Sequence, residues 1–217
     1  MVVFWKTYAP TADRFAEVLC GLVMVLTFTL AGNIYGAEVR DIVIGATGCA
    51  LAWGIIDGVT LVLNSMFQRG YRNTLIQRVQ QASPDKGVAI LRDEFNGTLS
   101  TITSEEDRER IYRSFVQSAP TMHVEPVRVT KHDWLGLLSL ITLEALASLF
   151  VIVPVLVLGE TRGAIRVSNI LLVIMLFMIG YDRARKNAWS LTGRIGTGLA
   201  TMALGVVLVF VAIVMGG

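Results

Sequence analysis

Two carboxylates lie inside long apolar runs of this chain, and they are the residues whose position most strongly suggests chemistry. Asp57 lies within the run 42–66, and Glu144 lies within the run 134–158. An ionisable side chain at the middle of a bilayer costs roughly 2.5–3.5 kcal/mol on insertion scales, so such residues usually face a bundle interior or a water-filled path. Asp57 and Glu144 are therefore the leading candidates for a functional site.

The elements that must position these carboxylates are five apolar segments. The chain has 217 residues, 53% of them hydrophobic, and they are blocked into runs instead of being dispersed as in a soluble domain. A membrane-spanning helix needs about 20 mainly apolar residues. The runs that qualify, of which the fourth is short, are 15–35, 42–66, 134–158, 166–181 and 195–215. We predict an all-α polytopic membrane protein with five transmembrane helices.

A polar segment between the second and third runs predicts a small helical domain. Residues 67–81 extend the second helix, and Pro84 suits the first turn of a new helix because its missing N–H needs no partner there. Ser104 opens a further helix with a start that resembles a capping box. The predicted domains are a transmembrane hairpin, a small helical domain and a three-span bundle, at residues 1–66, 67–131 and 132–217 respectively.

The basic residues predict how the chain is oriented in the membrane. Most of the 19 Lys and Arg residues fall on one side of a five-span arrangement, in the first fourteen residues, the 67–131 segment and the fourth connection. Cytoplasmic loops carry such an excess of positive charge. We therefore expect a cytoplasmic N-terminus, a cytoplasmic 67–131 domain and a C-terminus outside, in an integral protein of a bacterial inner membrane with lipid around it.

Depth along the spans predicts which residues share a layer. Counted from the inner ends of the runs at 1.5 Å per residue, Met24 and Glu144 lie about 15 Å deep and Asp57 about 13.5 Å deep. Met24 belongs to a polar stripe of the first span, which also carries Glu17 and Cys20 at helical spacing. Spans one to three could therefore bring a thioether and two carboxylates together.

Two interpretations of this layer remain open. Carboxylate oxygens suit Fe²⁺ or Mn²⁺, and sulfur shifts the preference towards softer metals. Metal ligation by Asp57, Glu144 and Met24 would place a transport pathway there. Alternatively, the two acids are protonated or form hydrogen bonds to Asn64, Thr142 and Ser148, and so hold helices together as polar side chains do in other membrane bundles.

The polar segment offers weaker candidates for metal ligands. Acidic residues at helical spacing form one group, and a mixed set precedes the third span. The residues of these two groups are Glu105, Glu106, Glu109, Met122, His123 and Glu125. Because Arg110 and Arg113 follow Glu106 and Glu109 by four residues, a helix held by ion pairs is the competing interpretation.

The chain carries no motif of the main catalytic or nucleotide-binding classes. A Gly-rich phosphate loop, a metalloprotease helix and a nucleophile elbow are all missing from the sequence. Its basic residues alternate with acidic ones, unlike a nucleic-acid-binding patch. We therefore expect neither an enzyme nor a nucleic-acid partner, and no permanently bound cofactor.

The layout resembles that of the vacuolar iron transporter family. Two spans, a helical cytoplasmic insert and three further spans are the family's arrangement. The strings that look similar are AEVLCGL at 16–22, AWGIIDGV at 52–59, the proline-ending third span at 145–154, and LFMIG at 176–180. In this resemblance Asp57 stands at the family's second-span Glu, while Met24-Val25 replace its first-span Asp-Gly and Trp53 replaces a Met.

The resemblance implies a fold, an assembly and an activity. It implies a homodimer with an ion path between the first spans, which exports a divalent metal, Fe²⁺ or Mn²⁺, from the cytosol, with possible coupling to protons. The metal ion is then the substrate. Since a fold does not fix a function, the alternative is a structural or accessory membrane protein that kept the bundle and lost the metal site.

Overall fold

The computed structural model describes residues 11–214, and that part of the chain is helical throughout, with no strand. The helices are α1 (Thr11–Ile34), α2 (Val39–Gln81), α3 (Pro84–Leu99), α4 (Glu105–Ser118), α5 (Lys131–Leu158), α6 (Arg162–Lys186) and α7 (Leu191–Val214), with a 3₁₀ turn at Ala119–Thr121. The expected placements of the two termini, and the end of the fifth run at Met215, lie outside the described residues.

Five of these helices are long and apolar enough to cross a membrane, namely α1, α2, α5, α6 and α7. The expectation of an all-α protein with five such helices is therefore confirmed. The fourth run, predicted at 166–181, belongs to a 25-residue helix. It looked short because the ends of α6 are polar. Thr161 caps the first turn, and Arg183, Arg185 and Lys186 occupy the last turn.

The chain divides into two compact units, each with its own core. The first unit comprises the chain up to Val62 together with everything from Thr130 onward, and it holds most of each apolar helix. The second unit comprises Leu63–Val129, which includes the last turns of α2.

The core of the first unit is built from small and branched apolar side chains on all five of its helices. Its fully buried members include Leu26 of α1, Ala50 of α2, Val151 of α5, Leu172 of α6 and Val209 of α7. Many other large apolar side chains on these helices are exposed, which is the pattern expected when lipid is the solvent.

The 63–129 unit has a smaller core, which lies between its three helical segments. Leu75, Val79, Leu91 and Tyr112 are buried together between α2, α3 and α4. Ser104 caps α4 by accepting a hydrogen bond from the Asp107 amide, as its sequence predicted. Burial of one apolar stripe per helix is what packs these amphipathic helices together.

Candidate metal centre

Three carboxylates from three different helices meet within the first unit. They belong to Glu17 of α1, Asp57 of α2 and Glu144 of α5, and each offers an oxygen such that the three atoms lie within 4.8 Å of one another. Among the side chains that the structure describes, no other group of three or more His, Cys, Asp or Glu residues converges in this way. We call this set the carboxylate cluster.

Glu144 is the enclosed member of the carboxylate cluster. Its side chain is 0% exposed, whereas Glu17 and Asp57 are half-buried. Neither Glu144 oxygen has a hydrogen-bond partner; the Glu17 carboxyl and the Gly21 backbone lie near it without meeting hydrogen-bond geometry. A buried polar group without a partner is costly, so this carboxyl is suited to a ligand that the polypeptide itself does not supply.

The hydroxyls nearest to Glu144 in sequence do not satisfy it. Thr142 donates a hydrogen bond to the Ser139 carbonyl, and Ser148 donates one to the Ala145 carbonyl, so both turn back onto α5. Such back-bonding is common for hydroxyls inside helices. Neither hydroxyl therefore donates a hydrogen bond to the Glu144 oxygens.

The charges within the carboxylate cluster have the same sign. The Asp57 carboxylate acts electrostatically on Glu144, and Coulomb repulsion at such a separation is strong wherever water is scarce. Three carboxylates this close need either bound protons or a cation between them. The cluster is therefore a place where protons or a cation would be held.

Glycines let the three helices come close enough to form the cluster. A Cβ atom at Gly54 would lie 2.8 Å from the Ile141 Cα, and one at Gly58 would lie 3.1 Å from the Leu137 Cα. These contacts bring the backbones of α2 and α5 together, as small residues at i and i+4 do in other membrane proteins. Asp57 lies between the two glycines in sequence and is held beside α5.

The structure brings Asp57 and Glu144 together, as their equal depth suggested, and places Met24 farther along α1. Glu144 meets α1 at Gly21, three residues before Met24, which corresponds to about 4.5 Å of helix rise. Met24 is half-buried. The α1 carboxylate of the cluster is supplied by Glu17, one turn on the other side of Gly21.

Glu17 was recognised in the sequence as part of a polar stripe, but not as a site residue. Counted from Arg14 at 1.5 Å per residue, Glu17 is only about 4.5 Å along the helix, well short of the level of Met24. That count assumes that every helix starts at the same level. The available signal was the spacing of Glu17 and Gly21 at i and i+4, which puts a carboxylate and a gap on one face of α1.

The acidic candidates of the 63–129 unit have partners of opposite charge. Glu109 lies 2.7 Å from a guanidinium nitrogen of Arg92 and 3.2 Å from one of Arg113. Glu106 pairs with Arg110 across one helical turn. The Arg92 hydrogen bond is the main reason that the pKa of Glu109 lies below its usual value. The carboxylates of Glu105, Glu106 and Glu109 do not come close enough together to hold one metal ion.

The mixed set before α5 makes backbone contacts. The side chains of His123 and Glu125 are exposed, and the Met122 side chain is half-buried. The carbonyl of Met122 accepts a hydrogen bond from Gln80, and the carbonyl of Glu125 accepts one from Asn73. These bonds fix the path of the connection through its backbone, which requires no metal.

No protein-family model, curated protein or solved structure matches this chain. The resemblance to the vacuolar iron transporter family stays a prediction, and the carboxylate cluster is the feature of this chain from which a function can be inferred.

Proposed function

We propose that this protein is a divalent-metal transporter, which moves Fe²⁺ or Mn²⁺ out of the cytosol in exchange for protons. The observation that carries the proposal is the convergence of Glu17, Asp57 and Glu144, from three apolar helices, within 4.8 Å. Acidic side chains in membrane-spanning segments usually mark an ion or proton pathway.

The spacing of the cluster is compatible with one shared ion. Oxygen ligands of Mg²⁺ or Ca²⁺ lie about 2.0–2.6 Å from the metal, so two ligands of one ion are at most about 5 Å apart. The cluster oxygens lie within that limit. Oxygen-only donor sets favour hard ions such as Mn²⁺. The Glu144 carboxyl, whose oxygens accept no hydrogen bond, would coordinate the ion directly.

The exposed side of the cluster supports the proposed homodimer. Cys20 of α1 and Trp53 and Thr60 of α2 are exposed beside the two half-buried carboxylates, and Cys20 is near enough to interact electrostatically with all three acids. In a lone chain this face would meet lipid. A second copy covering it would enclose an ion path between the first spans of the two protomers.

The test is metal flux into liposomes that contain the purified protein and a metal-sensitive dye. We expect Mn²⁺ or Fe²⁺ flux with the natural sequence, and loss of most of it in Glu144→Gln, Asp57→Asn and Glu17→Gln, because each substitution removes one ionic ligand. Asp41→Asn is the matched control, since Asp41 is an exposed acid in the first turn of the same helix as Asp57.

The same experiment addresses the alternative of an accessory membrane protein. Absence of flux for every divalent ion tested, from protein that is folded and inserted, would contradict the transporter and favour the accessory role. Equal flux in the natural protein and all three cluster variants would show that transport does not pass through the cluster.

A further inference from the structure

We infer that Gly21 is a positioning residue, whose missing side chain provides the space in which the Glu144 carboxyl sits. The inference deepens the proposed function and rests on it for the metal-binding readout. Gly21 itself contributes no ligand atom. Its role is to leave the surface of α1 open at the one place where the carboxyl of α5 must reach towards Glu17 and Asp57.

The distances at Gly21 support this role. A Cβ atom there would lie 2.3 Å from Glu144 Oε2 and 3.1 Å from Glu144 Cδ. Non-bonded heavy atoms pack at about 3.5–4.0 Å, so an alanine methyl would occupy space that the carboxylate now fills. The carboxyl would have to move by roughly an ångström, away from the position in which it meets the other two acids.

The backbone of α5 has little freedom to absorb that movement. Where α5 faces α2, a Cβ atom at Gly54 would lie only 2.8 Å from the Ile141 Cα and 3.1 Å from the Glu144 Cβ. Helix α5 is therefore held closely between α1 and α2 at the level of Glu144. The part that can yield is the flexible end of the Glu144 side chain, and its carboxylate is the ligand.

Gly21 also has a role in helix packing, which must be distinguished from its role in accommodating the Glu144 carboxyl. The same Cβ atom would lie 3.2 Å from the Ala147 Cβ, so Gly21 also allows α1 and α5 to pack closely. If packing were its only role, alanine would destabilise the protein to the same extent whether or not residue 144 carries a carboxylate. If it makes room for the carboxyl, the effect depends on Glu144.

The experiment measures Mn²⁺ affinity and melting temperature for the natural protein, Gly21→Ala, Glu144→Ala and the double variant, in detergent. We expect Gly21→Ala to lower Mn²⁺ affinity about 10- to 100-fold, as loss of groups that orient metal ligands does. We expect its effect on melting temperature to be smaller in the Glu144→Ala background. Gly48→Ala is the control, because a Cβ atom there meets nothing within 4 Å; it should leave Mn²⁺ affinity unchanged and should not lower the melting temperature, since alanine favours a helix over glycine.

A conservative variant provides a rescue test. Glu144→Asp shortens the side chain by one methylene, so Gly21→Ala combined with Glu144→Asp should bind Mn²⁺ more tightly than Gly21→Ala alone. Natural affinity in Gly21→Ala, or an equal fall in melting temperature with and without the Glu144 carboxylate, would overturn the inference. If the natural protein binds neither Mn²⁺ nor Fe²⁺, the proposed function fails, and the melting temperatures alone still decide whether Gly21 accommodates Glu144.

Discussion

The two units of this chain place glutamate side chains in opposite electrostatic surroundings. In the 63–129 unit, Glu109 lies between Arg92 and Arg113 on exposed helix faces. In the other unit, Glu144 is fully buried, neither of its oxygens accepts a hydrogen bond of normal geometry, and the acidic side chain of Asp57 lies close enough to interact with it. The first acid is neutralised by the chain itself, and the second is left to be neutralised by something else.

This difference shows which acids are free to bind an ion. A carboxylate that already pairs with arginine must give up that pair before it can bind a metal, and exposed pairs of this kind contribute little to stability. A buried carboxylate without a partner carries an uncompensated cost in the empty state. Ion binding relieves that cost, so the affinity for ions should reside in the carboxylate cluster.

The largest expected effect is on the stabilisation of the protein by metal. A ligand present at a hundred times its Kd stabilises the folded state by about 2.7 kcal/mol, so saturating Mn²⁺ should raise the melting temperature of the natural protein. Glu144→Gln should abolish this increase, because it removes the enclosed ionic ligand. Glu109→Gln should retain it. Thermal unfolding in detergent, with and without Mn²⁺, measures both variants.

The opposite pattern would reverse the comparison. If Glu109→Gln removed the Mn²⁺ response and Glu144→Gln kept it, the ion-paired helices would be the metal site, and the carboxylate cluster would be a structural feature of the bundle.

Sequence alone predicted the helices well, because each carries a local signal. Blocked hydrophobic runs fix the spans, and Pro84 and Ser104 mark the starts of helices on chemical grounds. Asp57 and Glu144 could be singled out because a charge inside an apolar run is conspicuous.

The closure of the site could not be predicted in the same way. It depends on how far each helix is displaced along its axis, and that displacement is set by contacts between Gly54 and Ile141 and between Gly21 and Glu144. These contacts join residues about 90 or more positions apart in sequence, so no local pattern contains them. Counting residues from the end of each run therefore favours Met24 over Glu17 as the α1 ligand, whereas the structure brings Glu17 to the other two carboxylates.

An intermediate effect is expected from adding one methyl group to each unit. Gly54→Ala directs a methyl at the Ile141 Cα, 2.8 Å away, and the backbone cannot yield easily, so we expect a loss of about 1–3 kcal/mol, as overpacking costs. A Cβ atom at Gly87 meets only side-chain methyls, those of Val116 at 3.1 and 3.4 Å and one of Val79 at 3.5 Å, and alanine favours the helix by about 1 kcal/mol. Its net effect should be near zero or stabilising.

Hydrogen exchange, measured for each unit separately, tests this pair. Protection should fall in α5 of the Gly54→Ala variant and stay unchanged or rise in α3 of the Gly87→Ala variant. Equal loss of protection in both variants would mean that the two units tolerate added volume equally.

The smallest expected effect concerns pH in the 63–129 unit. The hydrogen bond from Arg92, and then that from Arg113, lowers the pKa of Glu109, so the folded state favours the ionised carboxylate. Such a group contributes stability above the ordinary Glu pKa of about 4.3, and that contribution is lost as the pH falls through the lowered value. Arg92→Gln should therefore reduce protection of α3 and α4 at pH 7, and the difference from the natural protein should shrink towards pH 3.

Hydrogen exchange corrected for its intrinsic pH dependence measures that difference, and Arg128→Gln, an exposed arginine of the same unit, serves as the control. Salt at about 1 M should reduce the pH 7 difference as well, since exposed pairs are screened. A difference that stays constant from pH 7 to pH 3 would mean that Arg92 acts through the packing of its alkyl chain. In that case the ion pair between Glu109 and Arg92 would not contribute to stability, and the electrostatic difference between Glu109 and the carboxylate cluster would be smaller.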